Sequence, residues 1–401
     1  MIRLKSSPYQ STAAFLGAAT EIAEHYGFEA LDKLPRVKGG VRRALPPGAK
    51  PDSEIAFARR EERTLPSAAR RLLLAAPTAG RALLAWRVVP LSTSTSAGVS
   101  LELHAAGIPG AIAEALLITA ASAIVKEAGV EARILSINNM GAVESSSRYV
   151  RDVGLYLRKH IESISPTLRP RATLDPLGTL VQLIERGHPA VSRAPQAMEY
   201  LTEDERRRFW DLLEYLEKAD LPYELNGQIL GSRDCWTHAL FEIASVDPES
   251  GAHTIIAFGG RFDPLMSRFA RAPYPAAMIA IHCESRGAQR LRQPARGIPL
   301  MYFAHLGHEA RRRALPALES LRVAGIPVHH GLWHERIGEQ MAAARTHATP
   351  YILIMGHKEA VEGTILVREV ATNSQEAVLL SELPSYLKRK RVGAWKSEVR
   401  M

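Results

Sequence analysis

Residues 231–265 form the most informative group of side chains in this sequence, because several of them could bind a small charged ligand. Two apolar, β-prone runs, 239–243 and 253–258, are separated by a turn-rich segment and followed by a pair of glycines. This pattern predicts a hairpin, and the glycines allow backbone to approach a ligand or another strand closely. Asp234 and Glu242 could bind an ammonium or imidazole group. Glu242 could equally be a structural carboxylate that closes a strand.

The elements that must position this hairpin are predicted from hydrophobic periodicity. Helices are expected at 11–25, 108–128 and 143–163, with a small helical segment over 177–216. Strands are expected at 72–76, 83–90, 132–138 and 276–281. Residues 36–71 are rich in Arg, Pro and Gly, which predicts a loop or loosely packed region with a short helix around 54–63.

The pattern changes after a short, polar and basic segment, 289–297, which is the best linker candidate. Strands at 298–304, 327–330, 351–355 and 364–370 alternate with helices at 309–324, 335–347 and 381–391. Alternating strands and helices over about a hundred residues predict a separate α/β domain.

Composition sets further limits. The chain has 401 residues, enough for two or three domains, and a formal net charge of +9, which favours polyanionic partners. Two cysteines without metal-type spacing make a disulfide framework unlikely and favour a reducing cytoplasm. No signal-peptide pattern begins the chain, and the longest apolar run, 108–125, fits a buried helix better than a membrane span.

The segment GSRDCWTHALFEIAS, followed by HTIIAFGGRFDPL, resembles the histidine-binding part of histidyl-tRNA synthetases. In that family a GLDYYT-x-T-x-FE strand leads to a GGRYD turn. The resemblance implies a remnant amino-acid pocket, and it reaches back to the glutamate in GIPGAIAEALLITAASAIVKEAGV. The implied pocket residues are Glu114, Arg233, Asp234, Trp236, Thr237, Glu242, Gly259, Gly260, Arg261 and Asp263.

Two other blocks extend the resemblance over most of the chain. IAEHYGFEALDKLP looks like the first class II synthetase motif, with Pro35 at its proline but Val37 where a carboxylate is expected. The block from Ile298 onward resembles the anticodon-binding domain shared by synthetases for His, Gly, Thr and Pro. It implies nucleic-acid contacts by Arg336, Gln340, Arg345, Glu359, Arg368, Lys388, Arg389, Lys390 and Arg391.

The resemblance therefore implies an α+β fold. A class II synthetase-like core with an antiparallel sheet flanked by helices is expected over 1–290, with a helical insertion at about 165–225. An anticodon-binding-type α/β domain is expected over 296–401. The first-motif residues imply a homodimer, and the C-terminal domain implies tRNA or another structured RNA as partner.

The departures from the family lie in the chemistry. Activation of an amino acid requires cations on the ATP phosphates. Gly231 and Ser285 stand where the family has arginines, and His282 stands at a glycine position that would face adenine. Arg233 or Arg286, each displaced from the usual place, could substitute. In the second-motif region Arg87 is the only arginine, and it lies in a predicted strand.

These losses predict a histidyl-tRNA synthetase-like paralogue that binds tRNA or RNA, or regulates a partner protein, without activating histidine. No catalytic residue, cofactor or metal is then expected. Two alternatives stay open. One is an active histidine–tRNA ligase with relocated arginines, which would need ATP and Mg²⁺. The other is a regulatory subunit of a histidine-biosynthesis enzyme, a family that normally lacks the C-terminal domain.

Three further patterns have ordinary interpretations. His329, His330 and His334 could be zinc ligands, but loop histidines of structural or surface role are commoner. Cys235 and Cys283 are expected to be buried small hydrophobes, since no dedicated base is evident. The basic run ending at Arg391 could contact RNA backbone beside Trp395, or could be a solvated tail.

Overall fold

The computed structural model describes residues 1–37, 55, 57–59, 61–76, 80–92, 97–247, 249–286 and 299–390. Within these ranges the chain has an α+β fold with two sheets. The predicted linker, 289–297, lies outside the described residues.

The first sheet has eight strands in the order β1-β2-β3-β8-β7-β6-β4-β5. The strands are β1 (Glu29–Ala30), β2 (Leu83–Ser92), β3 (Ala97–Ala106), β4 (Arg133–Asn139), β5 (Glu224–Leu225), β6 (Thr237–Val246), β7 (His253–Arg261) and β8 (Ala276–Glu284). The two edge pairs, β1 with β2 and β4 with β5, are parallel, and all the pairs between them are antiparallel.

Eight helices accompany this sheet in the described part of the chain. They are α1 (Thr12–His25), α2 (Leu65–Ala75), α3 (Ile112–Glu127), α4 (Val143–Lys159), α5 (Arg169–Leu174), α6 (Pro176–Glu185), α7 (Glu203–Lys218) and α8 (Asp263–Ala270). Helix α3 is buried along nearly its whole length, because it is apolar on every side and packs on the sheet through β8. Helix α7 begins at a capping box formed by Thr202 and Glu205.

The second sheet has five strands in the order β10-β9-β11-β12-β13. They are β9 (Met301–His305), β10 (His329–His330), β11 (Tyr351–Met355), β12 (Thr364–Glu369) and β13 (Gln375–Leu379). Strands β10, β9 and β11 are parallel, and β12 and β13 continue the sheet antiparallel. Over residues 299–390, four helices accompany it: α9 (His308–Val323), α10 (Ile337–Thr346), α11 (His357–Glu362) and α12 (Leu383–Arg389).

The two parts of the chain pack against each other through α1 and α9. The ring Nε2 of His25 lies 3.0 Å from the carbonyl oxygen of Leu318, and the hydroxyl of Tyr26 donates to Glu319. The Nε2 atom of His330 lies 3.0 Å from the carbonyl oxygen of Tyr26. One continuous apolar core includes residues from both sheets.

The sequence pattern misplaced one element and omitted others. The strand predicted at 72–76 is wrong, because these residues form the end of helix α2, whose preceding turns bury Leu65 and Ala69 on the same face. A run of apolar residues this short does not distinguish a strand from a buried helix. Strands β3, β5 and β13 and helices α8 and α11 were not predicted, and residues 65–71, expected to lie in a loop, form the start of α2. No helix of the described residues is long and apolar enough to cross a membrane.

Candidate functional site

The predicted hairpin places Glu242 on β6, facing residues from the segment before α2. The carboxylate oxygen Oε2 of Glu242 lies 3.5 Å from Nη1 of Arg59. The Nε atom of Arg59 donates to the carbonyl oxygen of Leu230 at 2.6 Å, and its guanidinium lies 4.4 Å from the ring centre of Phe258. Both charged side chains are largely buried, at 15% and 12% exposure. The cation that Glu242 binds in this structure is therefore the chain's own Arg59.

A second acid from the same segment holds the loop before β6. Glu62 is fully buried, and its carboxylate accepts hydrogen bonds from the indole nitrogen of Trp236 at 2.9 Å and the backbone nitrogen of Ser232 at 2.7 Å. The backbone nitrogens of Ala58 and Arg59 donate to its other oxygen. Burial raises the pKa of Glu62, and these hydrogen bonds oppose that shift. Through these hydrogen bonds Glu62 links the segment that carries Arg59 to the loop before β6.

Trp236 and Glu62 also leave no room for a side chain at Gly231. A Cβ atom on Gly231 would lie 2.5 Å from Cδ1 of Trp236 and 2.9 Å from Oε1 of Glu62. Any larger side chain at this position, including an arginine, requires both groups to move.

The Gly259-Gly260 pair has a steric role inside the sheet. A Cβ atom on Gly259 would lie 2.2 Å from the carbonyl oxygen of Met278 on β8, and one on Gly260 would lie 2.8 Å from that of Ala239 on β6. Backbone atoms cannot yield to such a contact without distorting the strands. Close strand packing accounts for both glycines.

Three other predicted pocket residues form a buried ion network. The guanidinium of Arg261 donates to Glu114 through Nε at 2.9 Å and Nη2 at 2.5 Å, and its Nη1 lies 3.3 Å from Asp263. Arg208 of α7 adds a bond to Glu114 at 3.0 Å. Burial alone would raise the pKa of Glu114, but Arg261 and Arg208 lower it to about 2. These side chains pair one another's charges and hydrogen-bonding groups, and they link α3, α7 and β7.

Two of the remaining predicted pocket residues, Arg233 and Thr237, contact helix α4 or the loop before it. Nη2 of Arg233 donates to Ser147 at 2.8 Å, and the hydroxyl of Thr237 donates to the carbonyl oxygen of Gly141 at 3.0 Å. The backbone nitrogen of Asp234 donates to Ser232. The contacts of the predicted residues therefore fall into separate clusters.

A cavity of about 290 Å³ lies over strands β2, β3 and β8, beside residues 61–64. Its lining includes Glu61, Arg63, Ser100, Glu102 and His282. Burial alone would raise the pKa of Glu102, but His104 and Arg87 lower it to about 2, so the carboxylate is ionised. Glu61 lies 3.6 Å from His282, and Arg63 is the one arginine on the described lining, so the cavity offers a polyphosphate few cations.

The guanidinium of Arg87 compensates the charge of Glu102 and is held by bonds within the protein. Its Nε donates to Glu102 at 2.7 Å, and its terminal nitrogens donate to Ser67 and to the carbonyl oxygen of Thr64, each at 3.1 Å. The whole guanidinium is thus engaged within the protein.

The three histidines considered as zinc ligands do not form a metal site. His329 stacks on His347 with ring centres 4.0 Å apart, His330 meets the carbonyl oxygen of Tyr26, and His334 lies 3.2 Å from Glu339. Among the described residues, no group of three His, Cys, Asp or Glu side chains could hold a metal ion. Cys235 and Cys283 are both buried, as predicted.

The residues predicted to contact nucleic acid, all in the C-terminal part of the chain, differ in exposure to solvent. Gln340 is fully buried, and its amide exchanges two hydrogen bonds with the backbone of His305, at 2.8 and 2.9 Å. Glu359 caps α11 by accepting from the backbone nitrogen of Gly356. These two side chains are therefore engaged within the domain. Arg336, Arg345, Lys388, Arg389 and Lys390 are exposed, Arg368 is half-buried beside Asn373, and Arg391 lies outside the described residues.

Comparison with known proteins agrees with this architecture. Residues 302–390 match the family described as the anticodon binding domain. The chain is 28% identical to histidine–tRNA ligase 1 of Shouchella clausii (strain KSM-K16) over 293 residues, which cover 72% of this chain and 69% of the relative. It is 29% identical to the histidine–tRNA ligase of Thermosynechococcus vestitus (strain NIES-2133 / IAM M-273 / BP-1) over 276 residues, which cover 68% and 64%.

The chain is histidyl-tRNA synthetase-like. Its class II core is followed by an anticodon-binding domain. Among solved structures, the histidyl-tRNA synthetase-like chain matches apo histidyl-tRNA synthetase of S. aureus at 17% identity and a TM-score of 0.49, covering 93% of this chain and 94% of the other.

Sequence reasoning missed three residues of this histidyl-tRNA synthetase-like core that contact the predicted pocket residues or line the neighbouring cavity: Arg59, Glu61 and Glu62. They lie in the segment predicted to be a loose loop or short helix. One signal was present: the acids of the run Glu61-Glu62 directly precede the amphipathic helix α2, which fixes their position against the sheet.

Proposed function

We propose that this chain is a histidyl-tRNA synthetase-like paralogue that binds tRNA or another structured RNA through its C-terminal domain and does not activate histidine. The contact between Arg59 and Glu242 carries the proposal, because an internal cation occupies the carboxylate that would receive a cationic ligand. A histidine molecule would have to displace a side chain that also donates to Leu230 and lies over Phe258.

The electrostatics of the neighbouring cavity support the same conclusion. Activation needs cations on the ATP phosphates, whereas this cavity presents Glu61 and Glu102 with Arg63. Arg233, a candidate replacement, donates to Ser147 on α4 and lines a different cavity. Gly231 is closed by Trp236 and Glu62, so an arginine there is incompatible with the present packing.

The RNA part of the proposal rests on the C-terminal domain and its exposed cations. Lys388, Arg389 and Lys390 end helix α12 and are open to solvent. Exposed lysine and arginine side chains gain affinity for RNA by releasing counterions from its phosphates.

Two assays test the proposal. Purified protein is incubated with histidine, ATP and radiolabelled pyrophosphate, and separately with total cellular tRNA in filter binding at two salt concentrations. The expected result is no histidine-dependent exchange together with salt-sensitive tRNA retention. Exchange above background would establish the active-ligase alternative. Absence of tRNA retention at low salt would favour a protein-regulatory role.

A further inference from the structure

A line of side chains on helix α4 surrounds a cavity away from the predicted amino-acid pocket. Ser147, Arg151, Gly154 and Arg158 are spaced by four, three and four residues, which places them on one face of the helix. With Arg233 and residues of α5 and α6 they line a space of about 270 Å³, named here the arginine groove. Among the described residues, its lining has three guanidinium groups and two hydroxyls but no carboxylate.

Gly154 lies on the lining of the groove between the two arginines of α4, Arg151 and Arg158. A Cβ atom there would lie 3.3 Å from Cγ of Pro176 at the start of α6. The absence of a side chain at Gly154 lets α6 approach α4 beside the groove. A glycine in a helix interior costs about 1 kcal/mol relative to alanine, and the close helix approach accounts for it here.

Arg233 enters the groove from the loop before β6. Its Nη2 donates to Ser147, while its Nε is buried and has no hydrogen-bond partner among the described residues. Buried donors are normally paired. A ligand in the groove could supply an acceptor.

The other two guanidinium groups are largely available to a ligand. The Nε of Arg158 donates to the carbonyl oxygen of Gly154 at 3.2 Å, and the side chain is otherwise exposed. Arg151 is 70% exposed, and its contact with the neighbouring Asp152 at 3.2 Å is a surface pair of small energy. Three arginines lie on the lining of the groove, and a bound anion would reduce the repulsion between their charges.

We propose that the arginine groove binds a phosphate group. Phosphate carries about two negative charges and several acceptor oxygens, and guanidinium groups bind such oxygens with paired, directional hydrogen bonds. Thr173, across the groove from α4, offers a hydroxyl to a further oxygen. The phosphate belongs either to a small phosphorylated molecule or to an RNA backbone.

Isothermal titration calorimetry with inorganic phosphate at constant ionic strength tests the proposal. The double variant Arg158→Gln/Arg233→Gln should weaken phosphate binding at least tenfold. Thr173→Glu, which places a carboxylate in the groove at an exposed site, should do the same without affecting folding. The matched control Arg206→Gln/Arg207→Gln removes two exposed charges from α7 and should leave phosphate affinity within twofold.

Filter binding of total tRNA to the same variants distinguishes the two sources. Loss of tRNA retention along with phosphate binding assigns the groove to RNA phosphate. Retained tRNA binding with lost phosphate binding assigns it to a small phosphorylated molecule. The proposal is overturned if the unmodified protein does not bind phosphate, or if Thr173→Glu binds it as tightly as the unmodified protein does.

Discussion

The Nη1 atom of Arg59 lies 3.5 Å from Oε2 of Glu242, and both side chains are largely shielded from solvent. Burial raises the pKa of Glu242, and Arg59 opposes that shift. The pair joins the segment before α2 to the centre of the eight-stranded sheet, at the place where the sequence predicts an amino-acid pocket.

Removal of Arg59 is expected to destabilise the protein. Arg59→Ala leaves a buried carboxylate without its cation, which should lower the free energy of unfolding by about 1–3 kcal/mol. Urea unfolding of Arg59→Ala, Glu242→Gln and the double variant measures the coupling between them. A double-variant loss equal to the sum of the two single losses would contradict a direct interaction.

Gly231→Ala should also be destabilising, because its Cβ would lie 2.5 Å from Trp236. Overpacking of a filled core costs about 1–3 kcal/mol. Gly17→Ala is the matched control: nothing lies within 4 Å of its Cβ in helix α1, so alanine should stabilise it by about 0.5–1 kcal/mol. Thermal unfolding of the two variants should therefore show shifts of opposite sign; a neutral Gly231→Ala would show that the loop yields easily.

Stability should fall in mild acid through His330, which joins the two parts of the chain at Tyr26. Burial lowers the pKa of His330 from 6.5 to about 4. The unfolded chain therefore takes up this proton first as the pH falls, so the free energy of unfolding decreases between pH 7 and pH 5, by about 2 kcal/mol for this group.

His330→Gln keeps a donor toward Tyr26 and removes the titration. Between pH 7 and pH 5, the free energy of unfolding of His330→Gln, measured in urea, should fall less than that of the unmodified protein. The same substitution at exposed His253 serves as the control. Parallel pH curves for His330→Gln and the unmodified protein would refute the assignment.

Alanine at Lys388, Arg389, Lys390 and Arg391 should weaken tRNA binding and flatten its salt dependence by about one unit per lost phosphate contact. Filter binding across a salt series measures both quantities. Asp234→Asn, in the core, should leave them nearly unchanged. Unaltered retention by the four-alanine variant would place the RNA contact elsewhere or favour a protein partner.

We also propose that the chain forms a homodimer through the core, since the region from α1 to Pro35 resembles the first class II motif. Light scattering at micromolar concentration should give twice the mass of one chain. The mass of a single chain would refute the proposal.

The sequence alone determined most elements of the chain. Strand β11 and helices α1, α3 and α9 follow from their apolar periodicity, and the predicted α+β fold with its anticodon-binding domain is confirmed. Buried faces determine these elements locally, so the hydrophobic pattern is sufficient to predict them.

Tertiary structure decided which charges meet. Glu114, Glu242 and Arg233 appear in the sequence as members of one pocket, yet each has a different partner: Arg261, Arg59 and Ser147. Two of these contacts join residues more than a hundred positions apart, and residue types do not specify which acid and base approach each other. The segment that carries Arg59 and Glu62 contacts β6 and the loop before it, and this packing pairs Glu242 with the protein's own Arg59.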